Sequence, residues 1–196
     1  MRTGFVARFT LGCLIAAGTL TARAQDLDKP FLLVASPKTT GFYSGAVLLV
    51  MPSGAEHVGF IINHPTRTTV AAAFPNEPDA ARVDEQIYLG GPRNPQALFA
   101  LVHSDPGEGS RRIVGEVFLA VGTDALDRVI RTSPREARYF AGFATWGPGE
   151  LQREIARGAW FTAEADEGML FHSHPAYMWS ALQERIGQTR QASAAR

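Results

Sequence analysis

The sequence predicts an α+β domain: a mixed β-sheet packed with several short helices. Three observations carry this expectation. Uninterrupted apolar runs of strand length crowd the first part of the chain, at Phe31–Ser36, Ala46–Met51 and His57–Asn63. Helix start and stop signals come later and bracket short segments only. Strands and helices also fail to alternate steadily, as a doubly wound parallel sheet requires.

The first three runs lack polar alternation, so both faces of each strand should be covered. Turn chemistry separates them: Ser36–Gly41, then Pro52-Ser53-Gly54, then Pro65. Thr66–Glu85 is polar and irregular. Gln86–Gly91 reads as a strand entering a tight turn. Ala97–Ser104 is ambiguous because Asn94-Pro95 could cap a helix, but the shortness of the run favours a strand. Ile113–Gly122 reads as one further strand. Thr123 is placed to cap a helix through Thr132, with Leu126, Val129 and Ile130 on one face. Ser133-Pro134-Arg135-Glu136 is a second helix start, with Ser as cap and Pro at the first helical position. Tyr139–Gly149 returns to strand and ends in a glycine turn. Gly149–Gly158 is a short helix closed by Gly158. Ala159–Ala165 and Met169–Phe171 are strand-like. Pro175 opens the last helix, which aligns Met178, Trp179, Leu182 and Ile186 and ends at Gly187. Residues 188–196 read as a flexible tail.

The chain has 196 residues, 45% of them hydrophobic, which suits one domain with a sizeable core. Formal net charge is zero, so no global basic field invites nucleic acid or an anionic membrane. The N-terminus is a separate matter. Arg2 and Arg8 precede a short apolar run, and Ala22-x-Ala24 follows it. That is the layout of a secretory signal peptide over residues 1–24, cleaved after Ala24. The run is shorter than the roughly 20 residues a membrane-spanning helix needs, and no other segment supplies them. Cleavage would remove Arg2, Arg8 and Arg23, leaving 16 basic residues against 19 acidic ones. It would also remove Cys13, the only cysteine, and leave a chain suited to an oxidising compartment without disulfides. The expected destination is the periplasm or the medium. Cys13 is alternatively a lipid acceptor, but no apolar residue stands three positions before it.

Searches for chemistry return little. There is no CxxC, GxSxG, GxGxxG or P-loop. His103-Ser104-Asp105 are neighbours in sequence, whereas triads assemble in space. Arg128, Arg131, Arg135 and Arg138 would form a basic stripe on one helix, but Ser133-Pro134 interrupts it, so a nucleic-acid partner is not expected. His172-Ser173-His174-Pro175 resembles the metal-binding stretch of JAMM zinc proteases. If extended, it would put both imidazoles on one face. Zinc needs a third protein ligand, and Arg185 stands where that family has its Asp. His172 and His174 are therefore weak metal candidates, and the plainer reading is a loop that launches a helix. No cofactor and no catalytic residue is assigned.

Laid end to end, the motifs resemble the AlgH/YqgE family of bacterial proteins from Phe31 to about Gly187. The resemblance rests on FLLVASP, on GFIINHP with Asn63 and Pro65, and on YLGGP with Gly90, Gly91 and Pro92. Its most specific part is FAGFATWGPGELQREIARGAW, which carries Trp146, Gly149, Glu150, Leu151, Glu154 and Trp160. Glu150 replaces the family's usual Gln, and Phe143 its Tyr. The resemblance implies one α+β domain over residues 25–187 and no established enzyme activity. It assigns no role to the motif residues. One branch's name implies a transcriptional regulator of alginate synthesis, acting in the cytosol. An export signal argues instead for a non-catalytic binding or interaction protein whose partner, a protein or a small molecule, the sequence does not name.

Overall fold

The computed structural model describes residues 26–194. The expected signal peptide, its cleavage point and Cys13 lie outside the described residues. The described residues form a ten-stranded sheet and five α-helices, the α+β architecture expected. The strands are β1 (Phe31–Ala35), β2 (Val47–Ser53), β3 (Glu56–Ile61), β4 (Pro65–Thr69), β5 (Gln86–Leu89), β6 (Arg93–Val102), β7 (Ser110–Val114), β8 (Val117–Ala120), β9 (Ala137–Trp146) and β10 (Trp160–Glu164). The helices are α1 (Val70–Ala73), α2 (Thr123–Thr132), α3 (Glu150–Ala156), α4 (Glu167–Leu170) and α5 (Pro175–Ala194). No helix of the described residues is long and apolar enough to cross a membrane.

The main path runs β10-β1-β2-β3-β9-β6-β8-β7, antiparallel throughout. Strand β5 pairs parallel with β9 and makes the sheet mixed, and β4 pairs β5. Every residue of β1 is fully buried, as its unbroken apolar run requires. Alternate residues feed opposite cores. Leu32, Val34, Leu49, Phe60 and Phe140 meet Leu170, Met178 and Leu182 from α4 and α5. Phe31, Leu33, Leu48, Val50 and Ile61 meet Leu151 from α3 together with Trp146 and Trp160. A third cluster lies under α2, where Ala125, Val129 and Ile130 pack on Ala100, Phe118, Ala137 and Tyr139.

Strand β9 organises the sheet. One edge bonds β6; the other is divided between β5, at Tyr139–Ala141, and β3, at Ala144–Trp146. To go from β5 to β6 the chain must therefore pass over β9, and Gly90-Gly91-Pro92 is the crossing. A Cβ on Gly90 would lie 2.2 Å from the Gly142 carbonyl oxygen, and one on Gly91 would lie 2.1 Å from the Phe143 carbonyl carbon. The two backbones touch, and only glycine allows that approach.

Five local expectations are corrected. Ile113–Gly122 is not one strand but the hairpin β7–β8, turning at Gly115 with φ +52°. Met169–Phe171 is not strand: Asp166 accepts the Met169 N–H at 2.9 Å and caps the helical turn α4. Ser133–Glu136 starts no helix, only one 3₁₀ turn before β9. Thr66–Glu85 is not wholly irregular, since it contributes to β4 and holds α1. Gly187 does not end the last helix; α5 continues to Ala194, so 188–194 extend it rather than forming a tail. An interior glycine costs only about 1 kcal/mol, and the flanking Gln, Arg and Ala residues favour the helix.

Candidate functional site

The family-motif residues gather at two places. The first is the knuckle between β9 and β10. Trp146 and Trp160 are each 4% exposed, with rings edge to face at 6.3 Å. Their indole N–H groups both donate to one oxygen of Glu154, at 2.9 and 2.8 Å. Two buried donors thus share one charged acceptor, a bonding mode stronger than neutral pairs provide. Gly149 sits at φ +71° before α3, Glu150 accepts the Gly147 N–H at 2.9 Å, and Leu151 is fully buried. Tyr43 packs its ring 5.4 Å from Trp160. Burial first, then the Glu154 charge, raises its phenol pKa, while Arg93 opposes them.

The second place is the end of β3. The buried Asn63 side chain accepts the Val47 N–H at 2.8 Å and donates to the Gly45 carbonyl at 2.9 Å. It closes the loop before β2 in the manner of a strand neighbour. Pro65 begins β4 opposite Tyr88, and Gly90-Gly91-Pro92 is the crossing already described. The recorded bonds of Asn63 are to backbone groups, and those of Trp146 and Trp160 are to Glu154.

His172 and His174 form no metal centre. They lie in the turn before α5, not on a strand, with ring centroids 6.1 Å apart. His172 Nδ1 accepts the His174 N–H at 3.1 Å, and His174 Nδ1 meets the Ser173 hydroxyl at 2.9 Å. Among the described residues no third His, Cys, Asp or Glu joins them, so the JAMM alternative has no support. The turn launches α5, which buries Met178 and Leu182 and ties Trp179 Nε1 to the Ala35 carbonyl at 2.8 Å. The four arginines of the stripe also separate. Arg128 bonds the carbonyls of Pro106 and Glu108 from α2, whereas Arg138 is on β9.

Arg138 is where the structure departs from the sequence reading. It is only 9% exposed and forms no ion pair with any carboxylate of the described residues. Nη1 donates to the Ile62 carbonyl at 3.2 Å and Nη2 to the His172 carbonyl at 2.9 Å. The guanidinium lies 4.8 Å above the Tyr88 ring. Burial lowers its pKa and Tyr88 acts the other way, but an arginine keeps its charge at any physiological pH. Arg138 lines a cleft of about 380 Å³ with Glu85, Tyr88, His103, Arg135 and Phe171 among its walls. His103 stacks on Phe171 at 3.9 Å. The Glu85 carboxylate has one oxygen, Oε2, buried without a hydrogen-bond partner. The available signal was a lone charge inside the apolar run of β9, masked by its spacing from three other arginines.

Known proteins bear on the assignment in two ways. The family model described as AlgH-like (DUF179) matches residues 32–191. A UPF0301 protein of Myxococcus xanthus is 30% identical over 164 residues, spanning 81% of this chain and 90% of its own. One from Chlorobium limicola is 31% identical over 167 residues, spanning 81% and 87%. One from Methylococcus capsulatus is 33% identical over 164 residues, spanning 79% and 89%. Among solved structures, AlgH of Pseudomonas aeruginosa superposes with a TM-score of 0.69 at 24% identity, over 86% of this chain and 93% of that one. A Corynebacterium diphtheriae protein gives 0.67 at 22% identity, over 82% and 88%. At those identities the likeness concerns the fold alone, and the sequence relatives carry the family assignment. The chain belongs to the AlgH-like, UPF0301 family.

Proposed function

We propose that this is an exported, non-catalytic binding protein whose ligand seats against Arg138. The observation that carries the reading is the buried guanidinium without a carboxylate. Taking a charge out of water costs several kcal/mol unless a counter-charge returns it. Two carbonyl bonds and one aromatic ring return only part, and the guanidinium lines an open cleft. An anionic group entering the cleft would complete the site.

The non-catalytic part rests on geometry. Among the described residues, the one hydroxyl bonded to an imidazole is Ser173 on His174 Nδ1. Both residues are exposed sequence neighbours, and no carboxylate among the described residues bonds the far nitrogen of His174. Export rests on the sequence of residues 1–24. N-terminal sequencing of the protein from its native host should find Gln25 first, and an intact Met1 in a cytosolic fraction would overturn export. The purified protein, dialysed against a low-molecular-weight extract, should retain a small molecule detectable by mass spectrometry. No retention would overturn binding, and conversion of the retained molecule would overturn the non-catalytic part.

A further inference from the structure

We infer that β10 and α5 form a docking groove for an extended peptide segment of a partner protein, which adds to the sheet edge and turns an acidic side chain toward Arg185 and Arg190. This groove shares no residue with the Arg138 cleft. Three strands of the described residues pair on one side only: β4, β7 and β10. Open edges invite further strands, and proteins blunt them with charge, proline and bulges. Strand β4 starts at Pro65, carries Arg67 and shifts register between Pro65 and Thr69. Strand β7 carries Arg111 and Arg112 and shifts register between Arg112 and Val114. Strand β10 has none of these devices. Its register with β1 is unbroken, and its one charge, Glu164, is its last residue.

Ladder parity fixes which backbone groups are on offer. Ser36 N–H bonds the Ala159 carbonyl at 2.9 Å, so Phe161 and Ala163 also turn their backbone groups toward β1. Those of Trp160 and Thr162 therefore point out along the free edge. All five residues of β10 line a groove of about 520 Å³, within the range of ligand sites. Its α5 wall carries Leu182 and Ile186, which share a core face with Phe161 and Ala163. A strand laid beside β10 would alternate likewise and turn every second side chain toward α5. There the Arg190 guanidinium lies 4.2 Å over the Phe161 ring. Neither it nor Arg185 pairs with a carboxylate of the described residues. An acidic side chain near Phe161 would meet both cations, whereas Glu164, about 10 Å further along the strand, disfavours an acid at the other end. A second copy is the poorer occupant. Two-fold pairing of β10 with itself would bring the two α5 helices onto one face, with their arginines side by side.

The test is NMR titration and amide hydrogen exchange of the full chain with a panel of capped hexapeptides. Each alternates Ser with Val, Leu, Ile or Phe and carries either Glu or Lys at its third position. In the free protein the Thr162 amide should exchange fast and that of Phe161 slowly. A Glu peptide should protect Thr162, and it should bind at least about ten-fold tighter than its Lys counterpart. Arg190→Glu should reverse that preference. Thr162→Pro removes an edge N–H that has no partner among the described residues. Edge strands tolerate proline, so the variant should keep its circular dichroism and melting temperature yet bind at least about ten-fold more weakly. The inference fails if Thr162 is already protected in the free protein, or if no peptide binds up to about 10 mM. It also fails if protection falls on another strand, or if Arg190→Glu leaves the preference unchanged. A concentration-dependent dimer that protects Thr162 would give the edge to a second copy and overturn the peptide.

Discussion

Gly91→Ala tests the crossing on which the sheet depends. A Cβ on Gly91 would lie 2.1 Å from the carbonyl carbon of Phe143, 2.4 Å from its oxygen and 2.5 Å from Ala144 N. Non-bonded heavy atoms rest at about 3.5–4.0 Å, so the chains must part by more than about 1 Å. Every clashing atom is backbone, and no rotamer change can relieve it. Parting would strain the bonds that flank the crossing, Gly90 N–H to the Ala141 carbonyl and Ile61 N–H to the Gly90 carbonyl, both 2.9 Å. Leaving buried partners unmade costs about 1–3 kcal/mol each, and residual compression adds about 1–3 kcal/mol. The expected loss is about 3–9 kcal/mol, against the roughly 5–15 kcal/mol that stabilises a typical domain. Urea denaturation followed by circular dichroism reads the loss directly. Gly54→Ala is the control: its φ is +63° with nothing within 4 Å, so it should cost only about 1–2 kcal/mol. If Gly91→Ala costs no more than Gly54→Ala, the backbone contact is not there and the reasoning is wrong.

Glu154→Ala should cost about 2–5 kcal/mol by orphaning two buried indole donors, whereas Glu154→Gln, which keeps an acceptor, should cost less than half as much. Thermal melts and the shift of tryptophan emission check both. Gly187→Ala should raise stability by about 0.5–1 kcal/mol, because α5 runs through Gly187 and a Cβ there meets nothing within 4 Å. A loss would restore a helix end at that position. His64 has its pKa lowered by burial, with a bond to the Gly45 carbonyl opposing. A lowered folded pKa means that the unfolded chain binds the proton more readily, so stability is full above about pH 6.5 and falls as pH drops below it. His64→Gln should flatten the melting temperature between about pH 7.5 and pH 5; an unchanged slope would assign the acid sensitivity elsewhere.

The parts of the fold legible in the sequence were those with one dominant local cause. The unbroken runs of β1, β2 and β3 had to be strands covered on both faces, because no alternation offered water a side. The opening of α5 at Pro175 and its buried Met178 and Leu182 followed from helical spacing. Failures came where a distant contact or a single residue outweighed the pattern. Gly115 folds an apolar run into a hairpin through one positive φ, and Asp166 turns Met169–Phe171 helical through one bond. The site was less legible still. The residues flagged by motif supply the backbone approach at Gly90-Gly91 and the bonds of Asn63 and Glu154. Arg138, Glu85, His103 and Phe171 carry no motif; they line one cleft only when β5, β9, the end of β6 and the turn before α5 meet.

Architecture and cleft are nonetheless mechanically linked, although they share no residue. Crossing over β9 at Gly90-Gly91 is what lets β5 run parallel to it, with Ile87 opposite Tyr139 and Tyr88 opposite Phe140. That register brings Tyr88 beneath the Arg138 guanidinium and places Glu85 at the mouth of the same strand pair. A β5 joined to β6 by an ordinary hairpin would pair with β6 instead of β9 and carry those side chains away from Arg138. The Ile62 carbonyl that accepts from Arg138 is fixed by the same construction, since Ile62 N–H is bonded to Val47 and Asn63 closes the loop behind it. The glycines and the asparagine thus position the cleft's acceptor and its aromatic floor without touching a ligand. The residues that carry the family motif thus frame the cleft in which we propose that a ligand seats.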